Sequence, residues 1–135
     1  MTSKVIYIGK LRTENTHLKS GDSYFTDAPT DNKGKGEAFS PTDTVATGLA
    51  NCMLTVMGIK AQDLNIEMSG TTAEVTKIMA SNPRRISKIE IVFNLPFKAD
   101  AKHKKILEHT AKTCPVLYSL HPEIEKDISF NWSSL

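Results

Sequence analysis

Apolar and polar positions alternate most clearly in residues 86–97, where Ile89, Ile91, Phe93 and Leu95 interleave with Lys88, Glu90, Val92 and Asn94. A period of two puts the first set on one face of a strand. Glu67–Met79 reads as a strand before it, and Ala80-Ser81-Asn82-Pro83 breaks the run, so the two predict a hairpin. The same alternation closes the chain, with Ile128, Phe130 and Trp132 set against Ser129, Asn131 and Ser133. Near the start, Lys4–Leu11 is rich in β-branched and aromatic residues and predicts a strand. A turn signal at Lys19–Ser23 leads into a second short strand, Ser23–Thr26. Asp27–Glu37 has no apolar residue larger than alanine and reads as an exposed loop.

Between these regions the period changes. Ser40-Pro41-Thr42-Asp43 is a helix start: serine caps, proline is tolerated at the first helical position, and an acid suits the dipole there. The helix should run to about Leu64. Val45, Leu49, Cys52, Met53, Val56 and Ile59 make one apolar face, and Ala46, Ala50, Leu54, Met57 and Ala61 widen it. So little polar surface predicts a central, buried helix. Asp100–Thr113 is amphipathic, with Ile106, Leu107 and Ala111 inward; Pro115 interrupts it, and Val116–Leu120 begins a short further helix. Strands, long helix, strands, helix and strand make an α+β order, and no internal repeat or linker divides residues 1–135, so one domain is expected.

Charge narrows the function classes only slightly. Seventeen Lys and Arg against fifteen Asp and Glu leave a net charge of +2, too weak to argue for nucleic acid. The basic cluster Lys102-His103-Lys104-Lys105 reads as a solvated helix face. The opening MTSKVIYIGK has neither the apolar core nor the cleavage site of a signal peptide, and no run reaches the roughly 20 apolar residues of a membrane span. A cytoplasmic protein with no membrane and no nucleic-acid partner is expected. Thiols in that compartment stay reduced unless a redox cycle uses them.

That makes the two cysteines, Cys52 and Cys114, the candidate chemistry. The thiolate is the reactive form. Cys114 precedes Pro115 at a probable helix start, where free N–H groups favour an anion. Cys52 sits mid-helix among apolar neighbours, where burial raises a thiol pKa unless a cation is brought to it. Local chemistry thus ranks Cys114 as the more reactive. Structural zinc needs four Cys or His ligands at short paired spacing, and no CxxC is present, so no metal is expected. A Cys-His dyad would need His17, His109 or His121, and nothing local orients one.

Taken together, FSPTD (Phe39–Asp43), the small-residue helix ATGLANCMLT with Cys52, and the late segment CPVLYSL with Cys114 resemble the OsmC/Ohr family, the osmotically inducible and organic hydroperoxide resistance proteins. The resemblance runs over nearly the whole chain, and KIMASNPRRI looks like the branch related to YhfA. It implies antiparallel sheets packed around a long central helix in an intertwined homodimer. It also implies a thiol peroxidase without a cofactor. The earlier cysteine, here Cys52, would attack an organic hydroperoxide and become a sulfenic acid. The later one, here Cys114, would condense with it to a disulfide, and a dithiol reductant would reset the pair. This reverses the ranking drawn from local chemistry, so Cys52 needs an activating cation from elsewhere in the fold. Candidates are Arg12 in the N-terminal strand region and Arg84 at the hairpin turn, with His17 as a further neighbour. The family's best-characterised peroxidases carry Asn-Pro-Glu at the helix start, with the glutamate holding the arginine. Here Thr42 follows Pro41 and the acid is Asp43, turned by about 100° on a helix, so Asp43 reads as a cap. The alternative readings are a small-ligand or lipid-binding protein using the same dimer-interface pocket, or a redox sensor.

Overall fold

The computed structural model describes residues 1–133. Its elements are β1 (Ser3–Gly9), β2 (Arg12–His17), β3 (Ser23–Asp27), α1 (Pro41–Asp63), β4 (Thr72–Ala80), β5 (Arg85–Leu95), α2 (Ala101–Ala111), α3 (Pro115–Ser119) and β6 (Glu125–Trp132), with a 3-10 turn at Thr30–Asn32. The order is α+β, as expected. The chain falls into two compact units, Met1–Val45 and the part from Ala46 onwards.

The first unit holds an antiparallel sheet in the order β1-β2-β3. The middle strand is the element the sequence pattern conceals. Arg12-Thr13-Glu14-Asn15-Thr16-His17 has no apolar residue, yet it pairs along its length with both neighbours, Tyr7 lying opposite Thr13 and Arg12 opposite Asp27. Its hairpin is disguised too. Lys10 and Leu11 occupy the two central turn positions with φ of 55° and 64°, the positive values of a type I′ hairpin that Asn-Gly usually announces. Beyond β3 the loop folds back on itself: Gly34 N–H donates to the Pro29 carbonyl at 2.9 Å and Gly36 N–H to the Ala28 carbonyl at 3.2 Å. A side chain at Gly34 would collide with the Ala28 carbonyl, so this close approach requires glycine.

The second unit holds the core. Its sheet runs β4-β5-β6. β5 puts Ile89, Ile91, Phe93 and Leu95 fully inside, as the alternation predicts, and Phe93 stacks on Phe130 of β6 with ring centroids 5.3 Å apart. β4 and β5 form the expected antiparallel hairpin. The β5–β6 pair corrects the expectation of purely antiparallel sheets: it is parallel, with Ile91 beside Ile128 and Phe93 beside Phe130. The crossover through α2 and α3 carries the chain back to the end where β5 began, and a parallel pair needs such a connection.

Helix α1 begins and ends close to the expected positions. Its burial departs from them. Ala46, Leu49, Ala50, Met53, Met57 and Ala61 recur at helical spacing and join the core with β5, Leu107, Ala111 and Cys114. Val45 and Ile59, grouped with them from the sequence, are exposed, while Cys52 and Val56 are half-buried. The helix is therefore buried along one stripe, not all round. α1 is long and apolar enough by length and composition to cross a membrane, which the expectation of no such run missed. Its core stripe is what an interior helix of a folded domain requires.

Candidate functional site

Cys52 projects from the middle of α1, at the edge of the stripe that enters the core, and is half-buried. Cys114 is fully buried and stands at the N-cap of α3, directly before Pro115. The proline supplies the fixed φ of a first helical position and has no N–H to leave unpaired. A serine or aspartate usually fills the cap; here the sulfur does, and Leu117 N–H donates to Cys114 Sγ at 3.3 Å. Cys52 neighbours that same sulfur, close enough to push its titration up. Both cysteines are free. Residues 62 positions apart thus meet because α1 and α3 pack on one core.

Burial pushes the Cys114 thiol above its ordinary range, the Leu117 N–H pulls it partly back, and the neighbouring Cys52 sulfur raises it again. Cys114 therefore remains a thiol at neutral pH. The sequence argument that made it the more reactive sulfur counted the N–H groups of the coming helix and missed complete burial. A partly accessible sulfur near a buried one can do thiol–disulfide chemistry: the first meets reagents, and the second waits beside it.

The other candidates lie in the first unit or at exposed turns. Arg12 is on β2, opposite Asp27 of β3, and makes a two-pronged ion pair with it. Nε donates to Oδ1 and Nη2 to Oδ2, both at 2.8 Å. Asp27 is buried, and its Oδ2 also accepts from Glu37 N–H at 3.1 Å. Glu37 Oε2 stands 3.7 Å from Arg12 Nη2, and the guanidinium lies 5.1 Å from the Phe25 ring centroid. The hydrogen bond to Arg12 holds the Asp27 carboxyl below the usual carboxylate range against the opposing effect of burial, and Asp27 raises Arg12 in turn. Arg12 also lines an open cavity of about 240 Å³ with Lys10, Lys35 and Glu37. Asp27 was missed as a site residue because its partner strand was missed; read as the first residue of a polar loop, it has no reason to be buried.

Asp43 caps α1. Its Oδ2 accepts from Ser40 N–H at 2.9 Å while Ser40 Oγ accepts from Asp43 N–H at 3.1 Å, a reciprocal capping box. The acid that holds Arg12 is Asp27, not one at the helix start. His17 is exposed at the end of β2, with Nδ1 paired to Ser20 Oγ at 2.6 Å, an arrangement that closes the turn to β3. Arg84 is exposed at the β4–β5 turn.

The OsmC-like protein family profile matches residues 34–129. The chain is 54% identical to a Psychrobacter arcticus 273-4 protein of known structure, provisionally described as an osmotic stress induced and detoxification response protein, with a TM-score of 0.94 over 97% of this chain and 96% of that one. The chain belongs to the OsmC family. Its fold is also that of more distant OsmC-type structures. An organic hydroperoxide resistance protein OsmC from Legionella pneumophila is 14% identical, with a TM-score of 0.76 over 97% of each chain. An organic hydroperoxide resistance protein from Elizabethkingia anophelis is 14% identical, with a TM-score of 0.76 over 98% of this chain and 97% of that one. No curated protein sequence matches the chain. The OsmC match takes in both cysteines and the capped start of α1, and begins after β1–β3 with Arg12 and Asp27.

Proposed function

We propose that this OsmC-family protein is a thiol peroxidase that reduces organic hydroperoxides, with Cys52 as the attacking sulfur and Cys114 as the resolving one. The observation that carries this reading is the proximity of a partly accessible Cys52 to a fully buried Cys114. The Cys52 sulfur, as thiolate, displaces an alkoxide from ROOH and becomes a sulfenic acid; the alkoxide takes a proton and leaves as ROH. The Cys114 thiol then condenses with the sulfenic acid, forming the disulfide and releasing water. A dithiol supplies the two electrons and two protons that restore both thiols. Leu49 and Val56, which share the face of α1 that bears Cys52, favour an alkyl hydroperoxide over hydrogen peroxide.

Of the two arginine candidates, Arg12 is the one whose guanidinium a buried acid fixes, while Arg84 is exposed. The working form is proposed to be a homodimer. Val5, Ile6, Tyr7 and Ile8 of β1 are 46–64% exposed, and Val45 and Ile59 leave apolar surface on α1. Such surface marks association sites. A cytoplasmic location goes with a reducing compartment and a dithiol partner.

The reduced protein with a dithiol should consume cumene or tert-butyl hydroperoxide, and Cys52→Ser should abolish turnover. Unchanged turnover in that variant sinks the mechanism. One feature favours a second reading, binding of a small apolar ligand. A groove of about 520 Å³ lies between α1 and the loop after it, lined by Leu54, Gly58, Ile59, Ile66 and Met68. Co-purified apolar ligand, with no dimedone-trapped sulfenic acid after peroxide treatment, would favour that reading.

A further inference from the structure

The two sulfurs differ in how they can be reached, and this fixes the direction of the reductive half of the cycle. A thiolate attacks a disulfide along the S–S axis, bonding to one sulfur and expelling the other, so the entered sulfur must be open to solvent on the side away from its partner. Cys114 is 0% exposed, enclosed with Leu107, Ala111 and Met53 in the core, and Leu117 N–H already occupies one side of its sulfur at 3.3 Å. Cys52 is half-buried on α1, with exposed Asn51 and Thr55 beside it.

We infer that the external thiol enters the oxidised pair at Cys52 and that Cys114 is the leaving sulfur, received by the Leu117 N–H. The inference rests on the thiol-pair reading above and adds a sequence of bonds to it. A thiolate of the dithiol bonds to Cys52 Sγ, the Cys52–Cys114 bond breaks, and Cys114 departs with the electron pair and takes up a proton. The second thiol of the reductant then attacks its own sulfur in the mixed disulfide and releases Cys52, leaving the reductant as the disulfide. Burial disfavours a charged Cys114, and the Leu117 hydrogen bond is the contact that offsets this as the bond breaks. The buried sulfur never carries the external adduct, so the core around it need not open for the reductant.

The test is to trap the entered sulfur. The full-length protein is oxidised with diamide, which forms the disulfide without any peroxide. It is then treated briefly with 2-mercaptoethanol, which has no second thiol to resolve the adduct, and quenched with acid and N-ethylmaleimide. Peptide mass mapping should find mercaptoethanol on Cys52 and maleimide on Cys114, in at least about tenfold excess over the reverse pattern. Equal labelling, or mercaptoethanol mainly on Cys114, overturns the inference while leaving the thiol-pair reading intact. Failure of diamide to form an intramolecular disulfide overturns both. Loss of peroxide turnover with the expected labelling pattern overturns only the peroxidase reading.

Discussion

β5 buries Ile89, Ile91, Phe93 and Leu95 along one face, whereas β1, of comparable apolar content, buries none of Val5, Ile6, Tyr7 and Ile8. Each belongs to a three-stranded sheet. In the second unit that sheet shares a continuous core with α1 and α2. In the first unit the buried side chains are polar: Thr26, Asp27 and Ser40. The first sheet is held by strand pairing and by one well-made ion pair, and its apolar side chains face outward. This outward apolar surface is the reason a second copy of the chain is the proposed cover.

The comparison is sharpest at Phe93. Truncating it to alanine removes a fully buried ring stacked on Phe130, and should cost about 3–5 kcal/mol in denaturant unfolding. A loss below about 1 kcal/mol would mean that the second unit is not the core. On the first unit, Ile6→Asp should leave the secondary structure intact by circular dichroism and weaken self-association by about 2 kcal/mol in sedimentation equilibrium. An unchanged association constant would remove the proposed cover from β1. Next comes Asp100, whose carboxylate accepts from His103 N–H at 2.8 Å at the start of α2; Asp100→Ala should cost about 1 kcal/mol. The smallest effect concerns the shape of a pH profile. Asp27 releases its proton more readily folded than unfolded, so its contribution is fully present above about pH 4 and fades as pH falls through the lower folded value. Asp27→Asn has no such proton to gain, so the stability difference between wild type and variant should narrow as pH falls from about 5 to about 2. A difference that stays constant over that range would mean that the pair does not stabilise the sheet.

What the sequence made legible follows the same division. In the second unit, burial and pattern agree: the alternation of β5 and the helical spacing in α1 and α2 exist because one face of each meets the core, so they can be read without coordinates. In the first unit the sheet has no buried apolar face to impose a pattern. β2 was invisible for that reason, and Asp27 with it. The α1 face bearing Val45 and Ile59 was misread because an apolar residue on a helix reports that something covers it, not whether the cover belongs to the same chain. At the site, the ranking from local chemistry rested on the N-cap alone. The N-cap position of Cys114 is visible in Cys-Pro; its enclosure depends on Leu107, Ala111 and Met53, which arrive from elsewhere.

The parallel pairing of β5 with β6 gives the thiol pair a place in the order of assembly. Cys114 lies inside the crossover that joins these strands, so the chain must return through α3 and lay down β6 before that crossover is anchored at both ends. Long-range parallel contacts of this kind are slow to form, because their loop-closure entropy has to be met first. Cys52 is therefore translated 62 residues before the partner it meets, and the approach of the two sulfurs depends on that return of the chain.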